Sequence, residues 1–157
     1  MLSKNDFKNI ISLTPLVSLD FIIEYMDKFL LGKRINEPAK GFYFVPGGRI
    51  LKGETLKNTC RRLTKNELGI VIDFSKMKFH MNMEHIYPNC VFDNTIKTHY
   101  VCLSYYYKLN KEEYTKLNLD DQHSETVWLS KKDLIHHINV HENTKRYFVP
   151  YIDGNKI

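Results

Sequence analysis

A mixed β-sheet sandwiched between α-helices, an α/β (α+β) domain, is the fold class that the sequence predicts. Apolar runs of strand length recur between residues 16 and 129, one well-formed helical stretch interrupts them, and further helical patterns follow the last run. A length of 157 residues corresponds to a single domain, 1–157, with one enclosed core. No internal repeat, Gly/Ser linker or low-complexity block marks a boundary.

In chain order, Ser3 is placed to cap a short helix reaching about Leu13, with Phe7, Ile10 and Ile11 on its apolar face and Pro15 beyond its end. Leu16 to Ile23 reads as a largely buried strand and Phe29 to Arg34 as its hairpin partner. Asp20 is anomalous in the middle of so apolar a strand. Gly41 to Val45 is a third strand, which Pro46-Gly47-Gly48 ends in what the residue types predict to be a tight, exposed turn. Glu54 to Leu68 is the clearest helix, with Leu56, Cys60, Leu63 and Glu67 near one face and Gly69 as its stop. Met77 to Tyr87 and Lys97 to Leu109 read as longer strands around the turn-rich 88–94 segment. A polar loop from Asn118 to Ser124 precedes a strand from Thr126 to Leu129. Ser130 to Asp133 resembles a capping box that opens a helix, and His141 to Phe148 is a second helical stretch.

With 43% hydrophobic and 26% charged residues, the chain has a globular rather than a disordered or fibrous composition. The 23 cationic and 18 anionic residues leave a net +5, a mild surplus that suits a phosphate-bearing partner without singling out nucleic acid. Tyr105-Tyr106-Tyr107 lacks the dense Lys/Arg track of a single-strand nucleic-acid groove and reads as a two-sided strand. No apolar run approaches a membrane span, and residues 1–6 lack the apolar core of a secretory signal, so a cytoplasmic protein is expected. Cys60, Cys90 and Cys102 are odd in number and show no CxxC spacing, so buried thiols are expected rather than disulfides or a structural zinc.

The chemistry concentrates between Gly48 and Ile70. Gly48, five residues, Glu54, seven residues, Arg62, then Glu67, Gly69 and Ile70 follow the spacing of the Nudix hydrolase family, which the chain resembles. The resemblance implies a Nudix fold in which a loop-helix-loop surrounds one Mg²⁺ with oxygen ligands. Arg62 is then expected to brace the loop by pairing with Glu54. The departures are informative: Arg62 is followed by Leu63, and Glu67 is preceded by Asn66, where a typical Nudix box has carboxylates at both places. Glu67 is left as the helical metal ligand, with a single essential Mg²⁺ per subunit, Mn²⁺ as a substitute, and a catalytic base outside the box.

That thinned box resembles the GDP-mannose mannosyl hydrolase subgroup, and the likeness extends over nearly the whole chain. It includes Thr14 to Ile22, Phe29 to Arg34, Phe44 to Arg49, Arg62-Leu63-Thr64, Glu67-Leu68-Gly69, Thr98 to Val101 and Asp121-Gln122-His123. The resemblance implies hydrolysis of a GDP-hexose at sugar C1 with inversion, releasing GDP and the free sugar, by a homodimer that engages neither nucleic acid nor membrane. Position by position, it implies that the Gly47 carbonyl, Glu67 and Gln122 hold the metal. His123 is the implied general base, a role that suits a side chain with an ordinary pKa near 6.5. Arg34, Arg49 and Tyr100 are implied at the diphosphate, Asp20 and His85 near the hexose, and Asp6 and Phe7 in the region that contacts guanine. Gly48 and Gly69, with the Glu54 and Arg62 pair, shape the loop. GDP is a good leaving group once cations neutralise it, so a general acid is dispensable.

Two other functions fit the same chain less closely. An ordinary Nudix pyrophosphohydrolase would cleave the diphosphate of a nucleotide sugar, or act on a nucleoside triphosphate, and the missing box carboxylates count against it. A catalytically silent nucleotide-sugar binding module would have little reason to keep Glu67, Gln122 and His123 together. His80, His99, His136, His137 and His141 read as structural or exposed, and adjacent His136 and His137 point in different directions on a helix.

Overall fold

A computed structural model describes residues 2–119 and 125–149, together with the backbone of residues 151, 152, 155 and 156. The first helix, α1 (Lys4–Leu13), starts where the Ser3 hydroxyl accepts the Asp6 amide hydrogen and ends before Pro15. Strand β1 (Leu16–Tyr25) follows, then β2 (Lys28–Lys33) across a turn in which Met26 and Asp27 both take positive φ.

The sheet is mixed. Its order is β3-β2-β1-β6-β5, where β3 is Tyr43–Phe44, β5 is Lys78–Tyr87 and β6 is Thr98–Lys108. Strand β1 runs parallel to β6 from Leu16 opposite Tyr100 to Glu24 opposite Lys108. On its other edge, β1 meets β2 only at Glu24 and Tyr25, after which the two strands part. The vacated edge is filled by β4 (Gly47–Arg49), which pairs Ser18 with Arg49 and Asp20 with Gly47. The glycines therefore form a half-buried strand and not the exposed turn that Pro46-Gly47-Gly48 predicts. A Cβ on Gly47 would lie 2.4 Å from the Leu19 carbonyl oxygen, a close approach of two backbones that only glycine permits. Strand β7 (Thr126–Ser130) closes the far edge of β2.

Helix α2 (Leu56–Leu68) is capped by Thr55 and stopped by Gly69, whose φ of +73° is left-handed. Its Cys60, Leu63 and Leu68 pack on Leu19, Phe21 and Ile23 of β1, forming the larger core on one face of the sheet. The opposite face of β1 presents Ser18, Asp20, Ile22 and Glu24, because successive side chains alternate. There Ile22 joins Leu134, Val140, Tyr147 and Phe148 in a second core. This core is closed by α4 (Lys131–His136), which Ser130 caps as its residue type predicts, and α5 (Glu142–Lys145). Directly after β6, α3 (Lys111–Thr115) opens on a capping box of Asn110 and Glu113. The last described strands, β8 (Tyr151–Ile152) and β9 (Asn155–Lys156), pair with each other. The tyrosine run is two-sided: Tyr105 and Tyr107 pack on the first core and Tyr106 on the second.

Candidate active site

The split between β1 and β2 opens a cavity of about 220 Å³. Its wall draws on every central strand: Ser18 and Asp20 from β1, Arg34 just past β2, Gly47 and Gly48 from β4, His85 from β5, and Tyr100 and Cys102 from β6. Glu67 of α2 reaches the same cavity. Seven residues singled out by the sequence, namely Asp20, Arg34, Gly47, Gly48, Glu67, His85 and Tyr100, thus surround one space. Gly47 and Glu67 supply oxygen donors to a shared wall, a donor chemistry that fits Mg²⁺.

The loop that carries β4 into α2 is held by an ion pair. Arg62 donates from Nε to Glu54 Oε1 at 2.7 Å and from Nη2 to Oε2 at 2.8 Å. The same Nη2 reaches the Arg49 carbonyl oxygen at 2.8 Å, tying β4 to α2. Glu54 Oε2 also accepts from the Leu51 amide and the Thr59 hydroxyl, both at 3.0 Å. Its pKa falls from 4.5 to about 2, above all through the Arg62 hydrogen bonds. Leu63, which stands where a typical box has a carboxylate, is 5% exposed and faces the core beneath Gly48.

On the sugar-facing side expected for Asp20, its carboxylate is clamped at both oxygens. Ser18 Oγ donates to Oδ1 at 3.1 Å, and the Tyr147 hydroxyl donates to Oδ2 at 2.6 Å. Burial nonetheless raises its pKa, because desolvation outweighs these hydrogen bonds and the nearby Arg34 charge. His85 is buried beside it, with Nδ1 3.3 Å from Cys102 Sγ and Nε2 without a hydrogen-bond partner. Burial depresses the His85 pKa to about 3, so the imidazole is neutral at pH 7, and burial pushes the Cys102 thiol well above its ordinary value. Tyr100 is likewise raised by burial and remains a neutral hydroxyl.

The remaining predicted residues fall outside the cavity wall or outside the described chain. Arg34, by contrast, lines the cavity and lies over the Phe44 ring at 5.0 Å, and Phe44 stacks on His141 at 4.9 Å. Arg49 is turned toward α1, its guanidinium 3.8 Å from the Phe7 ring centroid. Phe7 in turn meets Phe92 edge-on. Asp6 lies in the exposed first turn of α1, bonded to Ser3. The structure thus joins Arg49 to Phe7 but sets both outside the cavity wall. Gln122 and His123 lie outside the described residues. Of the histidines read as structural, His141 caps α5 through Nδ1, and His80 Nε2 lies 2.7 Å from the Tyr147 carbonyl oxygen. His99 Nε2 is buried without a partner.

Three residues of this environment escape a sequence reading. Ser18 lies two positions from Asp20 on the same strand face, a signal that period-two alternation does carry. Cys102 is placed by strand register alone, and Tyr147 is 127 residues from the carboxylate it holds, so no local pattern links them.

A mixed sheet flanked by helices, with Glu67 of α2, the glycine strand and Arg34 facing one cavity, is the architecture of a hydrolase that works on diphosphates with a divalent metal ion. The chain belongs to the Nudix family: the NUDIX domain profile matches residues 16–152. It is 33% identical over 121 residues to the low-salt glycan biosynthesis protein Agl8 of Haloferax volcanii, covering 77% of this chain and 74% of that one. A shorter match, 40% identical over 72 residues, covers 45% of this chain and 43% of the ADP-ribose pyrophosphatase of Methanocaldococcus jannaschii. Among solved structures, the MutT NUDIX hydrolase of Burkholderia pseudomallei superposes with a TM-score of 0.69 at 22% identity, over 86% of this chain and 96% of that one. At that identity it shows the shared fold. Nudix hydrolases act on nucleoside diphosphate derivatives with a divalent metal, typically Mg²⁺ or Mn²⁺. Among the described residues, no helix is long and apolar enough to cross a membrane.

Proposed function

We propose that this Nudix hydrolase cleaves GDP-mannose, or a closely related GDP-hexose, at sugar C1. The observation that carries the reading is the composition of the box in place. Position 63 is a buried leucine and position 66 an asparagine, so Glu67 is the carboxylate that α2 brings to the cavity. A helix so thinned suits one metal that neutralises a leaving diphosphate better than a multi-metal attack on phosphorus. The 33% identity to a glycan biosynthesis protein supports a nucleotide-sugar substrate. The cavity, at about 220 Å³, is below the roughly 300 Å³ at which pockets enclose whole drug-sized ligands, and so suits one end of such a substrate. The hexose end would lie by Asp20 and His85, and the guanine end by Asp6 and Phe7.

In this reading, Arg34 and Arg49 orient the diphosphate with the Tyr100 hydroxyl. Gly47, Glu67 and Gln122 would hold Mg²⁺, which when bound would supply positive charge at the diphosphate. His123 accepts a proton from water as the water oxygen bonds to C1. The C1–O bond breaks on the opposite face and its electron pair leaves with the β-phosphate. Asp20, fixed by Ser18 and Tyr147, stabilises the cationic sugar ring. A cytoplasmic homodimer is part of the proposal.

The partial match to an ADP-ribose pyrophosphatase favours a second reading, cleavage of the diphosphate itself. Hydrolysis of GDP-mannose in ¹⁸O-labelled water separates the two. Label in the free hexose is the expected result; label in GMP or the sugar phosphate would sink C1 attack, and no product would leave a binding module.

A further inference from the structure

The cavity floor holds a ligand set that magnesium chemistry does not explain. Asp20, His85 and Cys102 come from three strands, and one donor atom from each lies within 4.8 Å of the others. All three line the cavity. A carboxylate oxygen, an imidazole nitrogen and a thiol sulfur form a mixed set that a hard cation such as Mg²⁺ does not seek and a borderline-soft one does. With bond lengths of about 2.0–2.3 Å, tetrahedral zinc holds its ligand atoms within about 4 Å of each other, close to the spacing already present.

A second observation also points to a ligand. His85 is 4% exposed, its Nε2 has no hydrogen-bond partner, and the protein neighbour of its Nδ1 is the Cys102 sulfur at 3.3 Å. A buried imidazole with an unspent edge costs about 1–3 kcal/mol unless something takes it up. The carboxylate is held by an outer layer as well, since Ser18 and Tyr147 grip one oxygen each. Asp20, His85 and Cys102 all line the cavity, which gives an ion a way in.

We infer that Asp20, His85 and Cys102 form a binding site for a thiophilic divalent cation of the zinc type, and that its occupancy blocks the hexose end of the cavity. Binding converts the Cys102 thiol to a metal-bound thiolate and releases its proton to solvent, with no redox change. The site is distinct from the oxygen-donor centre expected at Gly47 and Glu67. The blocking effect rests on the reading of Asp20 and His85 as sugar contacts; the binding does not.

The test titrates the metal-free full chain with Cd²⁺ and then Zn²⁺, following thiolate-to-cadmium charge-transfer absorption, heat and proton release. One equivalent with a thiolate band is expected. Cys102→Ser should remove the band and weaken Zn²⁺ binding by more than about 100-fold, and Tyr147→Phe should weaken it about tenfold. Cys60→Ser and Cys90→Ser should change neither. If Cys102→Ser unfolds, Cys102→Ala and His85→Gln, checked by circular dichroism, carry the same comparison. No thiolate band in the wild type, or a band that survives loss of Cys102, overturns the site. Blocking is read as Zn²⁺ inhibition of GDP-mannose hydrolysis at saturating Mg²⁺, each protein against its own zinc-free rate. Equal inhibition of wild type and Cys102→Ser overturns it. Absence of any GDP-mannose turnover defeats the functional reading, and the titration still decides the site.

Discussion

Glu54 and Asp20 are both carboxylates fixed by hydrogen bonds, yet their surroundings push their pKa values in opposite directions. Glu54 accepts four hydrogen bonds, two of them from a guanidinium, and falls to about 2. Its contribution to stability is therefore complete above the unfolded value of 4.5 and disappears as pH drops from there toward 2. Glu54→Gln should cost about 1–2 kcal/mol at pH 7, with the difference from wild type closing near pH 2. Urea denaturation across that range checks it. Asp20 is raised by burial, so the sign reverses: relative to Asp20→Asn, the wild type loses stability as pH rises through 3.8 toward the raised value. Asp20→Asn should therefore melt no lower than wild type at pH 7, while kcat for GDP-mannose falls by about 10²-fold or more. Parallel melting and turnover assays test the pair of expectations. The pairing of Glu54 with Arg62 is legible through the resemblance to the Nudix box, whose spacing both residues match. What surrounds Asp20 is not, because a strand's pattern tells which face a residue takes and not what comes to meet it.

At the scale of elements, β4 is where residue types mislead most. Pro-Gly-Gly is turn chemistry by composition, but Gly47 and Gly48 serve as a strand because β1 and α2 crowd them from either side. The two glycines are not equivalent. A methyl on Gly47 would meet the Leu19 carbonyl and the Asp20 backbone, whereas on Gly48 it would meet the end of the Leu63 side chain. Gly47→Ala should destabilise by about 1–3 kcal/mol and disturb the neighbouring Asp20, while Gly48→Ala should stay below about 1.5 kcal/mol. Thermal melts rank them. Helix α2 was legible to within two residues because Thr55 and Gly69 punctuate it. Helix α3 carries an equally plain Asn-x-x-Glu signal at Asn110, directly after the long strand β6.

For the molecule as a whole, the proposed function would depend on a sheet that is incomplete between β1 and β2. The parting of β1 from β2 makes room for the cavity, and β4 repairs one side of it. Metal removal should expose this dependence: chelation abolishes turnover, Mg²⁺ restores it with Mn²⁺ as a substitute, and Mg²⁺ at about 100 times its Kd raises stability by about 2.7 kcal/mol. Calorimetry with and without chelator checks the last point. The mixed sheet and its helices were readable from apolar periodicity, but the long-range meeting of Tyr147 with β1 depends on the final packing of α5.

The three cysteines give the fold a further use. Cys60 projects from α2 into the larger core, Cys90 sits in the small cluster with Ile11 of α1, and Cys102 lines the cavity, all buried and unpaired. Each is thus a silent reporter assigned to a different compartment. Pulse alkylation read by mass spectrometry would time the opening of three regions in one unlabelled chain, with Cys90 marking the release of the N-terminal helix and Cys60 the loss of the whole structure.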